Sequence, residues 1–133
     1  MDNNINDLIN NAGLKLTKQR KRIAKELFGQ KDQHVTAEML FSDINKDFKI
    51  SLATIYNTVH AFKSKGYLKE ISINSDKSYY DTNVSDHHHF FDESTNELID
   101  LHNNDLENVR IKKNIPGKKI KSVEVLVKIE NSN

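Results

Sequence analysis

Apolar positions in the first half of the chain recur at helical spacing. Ile5, Leu8, Ile9 and Ala12 predict a helix over 5–12, and Gly13 is a natural stop for it. Thr17 is a candidate N-cap for a second helix with Ile23, Ala24, Leu27 and Phe28 on its inner side, ended by Gly29. Thr36 would cap a third helix carrying Ala37, Leu40, Phe41 and Ile44. After a short turn at 48–50, Ser51 would cap a fourth that closes at Gly66. Two helices joined by so short a turn are the pattern of a helix-turn-helix.

The period then falls from 3.6 to 2. Tyr67, Lys69, Ile71 and Ile73 open a strand, residues 74–77 read as a turn, and 78–82 return, so a β-hairpin wing follows the helices. Residues 83–85 read as a hinge. Beyond them, 87–91 and 97–101 predict two short strands, 104–112 a short helix, and 120–129 a strand with Val123, Val125, Val127 and Ile129 on one face. The predicted fold is α+β, with an N-terminal winged helix-turn-helix domain at 1–83 and a small α/β domain at 84–133.

Composition narrows the chemistry. The 133 residues include no cysteine and no tryptophan, which excludes disulfide scaffolds, thiol nucleophiles and cysteine-ligated zinc sites. Mean hydropathy is −0.70, no apolar run approaches the length of a membrane span, and the first residues lack a basic, apolar leader pattern. A soluble, cytoplasmic protein without a membrane partner is expected. The net charge of +1 conceals a segregation. Seven Lys and Arg against Glu26 put +6 on residues 15–31, whereas residues 86–107 carry seven acids and no Lys or Arg. A basic front suits a polyanion, and an acidic segment with His87, His88 and His89 suits a cation or cofactor.

The fourth helix has two distinct faces. Leu52, Ile55, Val59 and Phe62 form an apolar stripe, while Ala53, Tyr56, Asn57, His60 and Ser64 form another. A small residue, a phenol, an amide and an imidazole are groups that meet base edges, thymine methyls and phosphates in a major groove.

Particular stretches are similar to a known family. HVTAEMLF at 34–41, SLATIYNT at 51–58, GLKLTKQR at 13–20, DHHHFF at 86–91 and ELIDL at 97–101 resemble motifs of the ferric uptake regulator (Fur) family. Asn57 and the triple histidine look most like its iron response regulator (Irr) group. The resemblance implies a homodimeric DNA-binding regulator of iron and haem homeostasis, not an enzyme, acting on an A·T-rich, partly palindromic double-stranded operator. It implies that Tyr56 reads bases, that Lys15 enters a minor groove, and that Arg20, Ser51 and Thr54 hold phosphates. The last two lie at a helix N-terminus, whose free N–H groups favour phosphate.

The same resemblance gives His34, Asp81, His87 and His89 as a metal site tying the DNA-binding domain to the dimerisation domain. Strand alternation puts His87 and His89 on one face and His88 on the other. Asp92 and Thr95 stand at the family's first Cys-x-x-Cys pair, so a four-cysteine structural zinc cannot form. Asp86, His88 and Glu107 align with a second, regulatory site whose last histidine is replaced at about Val123. Within the iron response regulator group, haem at a cluster containing His87, His88 and His89 would release DNA that is bound when iron is scarce. The alternative is a repressor with Fe²⁺, Mn²⁺ or Zn²⁺ as co-repressor. A small His-rich metalloenzyme is the different-class alternative, opposed by four glycines and a helical first half; an interaction module without DNA binding is another, separable by salt dependence.

Overall fold

The computed structural model describes residues 2–133, with side chains from residue 4 onward. The chain divides into two compact units, Met1–Val84 and Ser85–Asn133.

Four helices build most of the first unit: α1 (Asp2–Asn11), α2 (Lys18–Phe28), α3 (Ala37–Ile44) and α4 (Leu52–Lys65). Side-chain caps start three of them. Thr17 accepts the Arg20 N–H at 3.2 Å, Thr36 that of Met39 at 3.0 Å and Ser51 that of Thr54 at 3.1 Å. Each cap satisfies a backbone donor with no partner inside the helix. Gly66 closes α4 with φ 91°, a left-handed conformation that costs residues with a Cβ.

Three short strands follow in the order β1-β3-β2, with β1 (His34–Val35), β2 (Lys69–Asn74) and β3 (Lys77–Asp81). The β2–β3 hairpin is the predicted wing. Strand β1 is absent from the sequence expectation, because two residues are too few to show a period. It pairs antiparallel with β3 and places His34 opposite Asp81. Gln33 extends this join: its amide donates to Thr82 Oγ1 at 2.9 Å, and its side chain donates to the last-turn carbonyls Glu26 O and Leu27 O of α2.

Ile9, Ile23, Leu27, Ile44, Ile55, Val59 and Phe62 are inaccessible and form the centre of one apolar core. Leu52 of the predicted α4 stripe only packs at its margin. Phe41, expected inside, is exposed; Leu40 and Ile44 suffice to bury the inner face of so short a helix.

The second unit is a sheet in the order β5-β4-β6, from β4 (His88–Asp92), β5 (Glu97–Leu101) and β6 (Leu126–Ile129). Phe91, Leu98 and Leu101 are its buried apolar residues. The β4–β5 turn is an Asx turn. Asp92 Oδ1 accepts the Ser94 N–H at 2.9 Å, Asn96 takes φ 61°, and Ser94 Oγ accepts the Asn131 N–H at 2.9 Å. Asp92, which the resemblance sets at a cysteine position, thus shapes a turn. Two expectations need correction. Only a 3-10 turn at Asn103–Asp105 forms where a helix was predicted over 104–112. The strand predicted over 120–129 shortens to 126–129, the stretch that pairs in parallel with β4, and Val123 stays exposed.

Candidate metal centre and nucleic-acid interface

The histidine run gives its side chains different environments. His87 and His89 are buried and their rings lie 4.4 Å apart. Antiparallel pairing of β4 with β5 sets His89 opposite Asp100. Asp100 Oδ1 then lies 3.4 Å from His87 Nε2 and 3.5 Å from His89 Nε2. Donor atoms of these three residues fall within 4.8 Å of one another.

The tautomer of His87 follows from its neighbour. His87 Nδ1 lies 2.8 Å from the Ser85 carbonyl, which only accepts, so Nδ1 carries the hydrogen. In the neutral ring, Nε2 then presents its lone pair, as a metal-ligating imidazole must. His88 lies outside this arrangement: its Nδ1 accepts the Val125 N–H at 3.0 Å and so anchors the segment leading into β6. Glu107 and Val123 line a cavity of about 310 Å³ beside His88. In the first unit, His34 and the buried Asp81 face one another across β1 and β3, and Asp81 also accepts the Asn83 N–H at 2.9 Å.

On α4 the inner stripe buries Ile55, Thr58, Val59 and Phe62, leaving Ala53, Asn57 and His60 exposed. Tyr56 is half-buried and donates its hydroxyl to Glu38 of α3. That hydrogen bond, with lesser help from burial, pushes the Tyr56 phenol up to about 12. The His60 ring lies 5.8 Å from that of Tyr56 and 6.3 Å from that of Tyr80. Ser51 and Thr54 share a hydroxyl hydrogen bond of 2.8 Å at the exposed start of the helix. Lys63 pairs with Glu70 of the wing at 2.5 Å.

The basic front is partly structural. Arg22 donates twice to Asp47, at 2.9 and 2.7 Å, and once to Glu26 at 3.0 Å. These bonds hold the Arg22 guanidinium well above its ordinary range and the Asp47 carboxyl below its own. Arg20 donates to the Lys15 carbonyl at 2.9 Å, bracing the segment that carries the exposed Lys15 side chain.

The model of the ferric uptake regulator family matches residues 11–129. The chain belongs to the ferric uptake regulator family. Its relatives include the peroxide-responsive repressor of Staphylococcus saprophyticus, 34% identical over 110 residues, or 82% of this chain and 73% of that protein. Those of Staphylococcus epidermidis and Staphylococcus aureus strain Mu50 are 33% and 34% identical, over 74% and 68% of this chain, which spans only 65% and 61% of their lengths. The narrower likeness to iron response regulators is not reproduced by these relatives.

Among solved structures, the ferric uptake regulator of Pseudomonas aeruginosa with manganese superposes with a TM-score of 0.69 at 20% identity, covering 97% of this chain and 98% of that one. The regulator of Vibrio cholerae gives 0.70 at 20%, covering 95% and 98%. At that identity the likeness shows the fold. The family is one of transcription regulators rather than enzymes. Among the described residues no helix is long and apolar enough to cross a membrane.

Two residues with no distinctive sequence signal enter these two candidate clusters. Asp100 was visible only as one of seven acids, and the β4–β5 register alone brings it to His87 and His89. Glu38 sits in the first turn of α3 and reaches Tyr56 through helix packing.

Proposed function

We propose that this protein is a divalent-metal-responsive, DNA-binding transcriptional repressor that works as a homodimer. The supporting observation is the convergence of His87, His89 and Asp100, with the Ser85 carbonyl setting the His87 tautomer. Two imidazoles and a carboxylate are borderline nitrogen and hard oxygen donors, suited to Fe²⁺, Mn²⁺ or Zn²⁺ without thiolate. The family resemblance adds His34 and Asp81 to the ligand set. Relatives named as peroxide-responsive repressors and a fold match solved with manganese agree with a metal-dependent regulator.

DNA would be bound by α4. Its exposed Ala53, Asn57 and His60, with Tyr56, form the base-reading face, while Ser51, Thr54, Arg20 and Lys15 supply phosphate and minor-groove contacts. A bare ion fits the histidine pair better than haem does. Haem iron needs an imidazole open to a broad macrocycle, yet His87 and His89 are only 8% and 3% exposed, and both turn Nε2 toward Asp100.

The test is a mobility shift on an A·T-rich, partly palindromic duplex. Binding lost in chelator and restored by Mn²⁺, Fe²⁺ or Zn²⁺ is the expected result. Binding that persists in chelator and disappears on haem titration would overturn it in favour of a haem-released regulator.

A further inference from the structure

The α4 face contains a feature that base reading by an aromatic ring does not require. Tyr56 Oη is oriented by a carboxylate from another helix. Glu38 occupies the first turn of α3, where the helix dipole favours its negative charge. An ionised carboxylate only accepts hydrogen bonds, so the phenolic hydrogen is committed to Glu38. The outward side of Oη then carries lone pairs alone.

This polarity has consequences in a major groove. Thymine O4, guanine O6 and the purine N7 atoms are acceptors, whereas adenine N6 and cytosine N4 present amino donors. A free tyrosine hydroxyl rotates to suit either kind. Oriented as it is here, it complements only the donors. Glu38 also sets a negative charge beside a surface meant for DNA, where it repels phosphate at every sequence alike. We propose that Glu38 is a specificity-determining positioning residue: by holding the Tyr56 hydroxyl as an acceptor, it directs Tyr56 to an exocyclic amino group of adenine or cytosine and lowers affinity for unrelated DNA.

This inference rests on the DNA-binding reading and deepens it. The experiment measures binding of the Mn²⁺-loaded full chain to a panel of duplexes in which each operator base pair is varied in turn. Unmodified protein, Glu38→Ala, Glu38→Gln and Tyr56→Phe are compared. One operator position is expected to lose about tenfold discrimination in both Tyr56→Phe and Glu38→Ala, as for one good base contact. Glu38→Gln keeps an acceptor for the phenolic hydrogen and retains the preference. Both Glu38 variants bind unrelated duplex more tightly than the unmodified protein. Replacing adenine at that position by purine, which lacks the 6-amino group, identifies the base: loss of affinity assigns adenine, and a loss confined to cytosine substitutions assigns cytosine.

A Glu38→Ala protein that keeps the full preference lost by Tyr56→Phe would overturn this inference alone. Failure of the unmodified, metal-loaded protein to prefer any duplex would overturn the DNA-binding reading and this inference with it. Because Glu38 is exposed and Glu38→Gln conserves its shape, a folding defect would show as the same loss in both variants, and that result also counts against the proposal.

Discussion

Replacing Asp100 by Asn removes one negative charge while keeping nearly the same shape. The carboxylate oxygen lies 3.4 and 3.5 Å from the two imidazole Nε2 atoms, so an ion held by those nitrogens would lie against it. Even residues that only support metal ligands weaken binding ten- to a hundredfold when replaced, by roughly 1.4–2.7 kcal/mol. A direct anionic ligand should lose at least the upper end of that range. At free Mn²⁺ a hundred times the dissociation constant, binding stabilises the native protein by about 2.7 kcal/mol. A variant that binds a hundredfold more weakly retains about 0.4 kcal/mol at the same concentration. The metal-induced rise in Tm should therefore shrink by on the order of 10 °C. Circular dichroism melting in chelator and in Mn²⁺ measures this, with competition against a chromophoric chelator giving affinity directly. In chelator the Asp100→Asn protein should melt close to the unmodified one, since the side chain is 40% exposed. An unchanged Mn²⁺ shift in the variant would refute the assignment of Asp100 as a ligand.

Three more outcomes are expected. Phe62 is inaccessible and lies edge-on to Phe28 at 5.5 Å and tilted to Tyr67 at 5.9 Å, so Phe62→Ala should cost about 3–5 kcal/mol in urea unfolding; a loss below about 1 kcal/mol would contradict the core described. Asp47 is held below its ordinary value of 3.8 by Arg22, so its contribution is present above about pH 4 and is lost as pH falls through the depressed folded value. Asp47→Asn should flatten that part of the acid-unfolding profile, and an identical profile would exclude the ion pair in solution. Spectrophotometric titration should find a tyrosine ionising near 12, and Glu38→Ala should bring it down; a titration curve that Glu38→Ala leaves unchanged would show that the Glu38 bond does not persist.

What could be read from the chain alone was what short-range chemistry controls. Thr17, Thr36 and Ser51 cap helices through bonds to amides three residues on, and Gly66 provides a left-handed stop, so α2, α3 and α4 are written locally. The wing is likewise encoded by alternation around a polar turn. Alternation also separated His88 from His87 and His89, because side-chain direction on a strand depends on parity and not on neighbours. The fates of particular residues were less visible. Phe41 satisfies the helical period yet stays exposed, since period states which face is shared and not how much of it another element covers.

The tertiary structure decided the pairings. Asp100 reaches the histidines because β5 runs back along β4 in a register that sets it opposite His89, and six other acids nearby had an equal claim by sequence. Strand β1 exists only because β3 lies beside His34 and Val35, so it had no signal of its own. The exposed polar residues of the fourth helix were in plain view, but the direction in which Tyr56 presents its hydroxyl depends on Glu38, eighteen residues away on another helix. Residue type and spacing were enough to single out the histidine run and the polar face of α4 as candidates. Their orientation, which sets what they can bind, arises from contacts between elements that chain-local energetics do not contain.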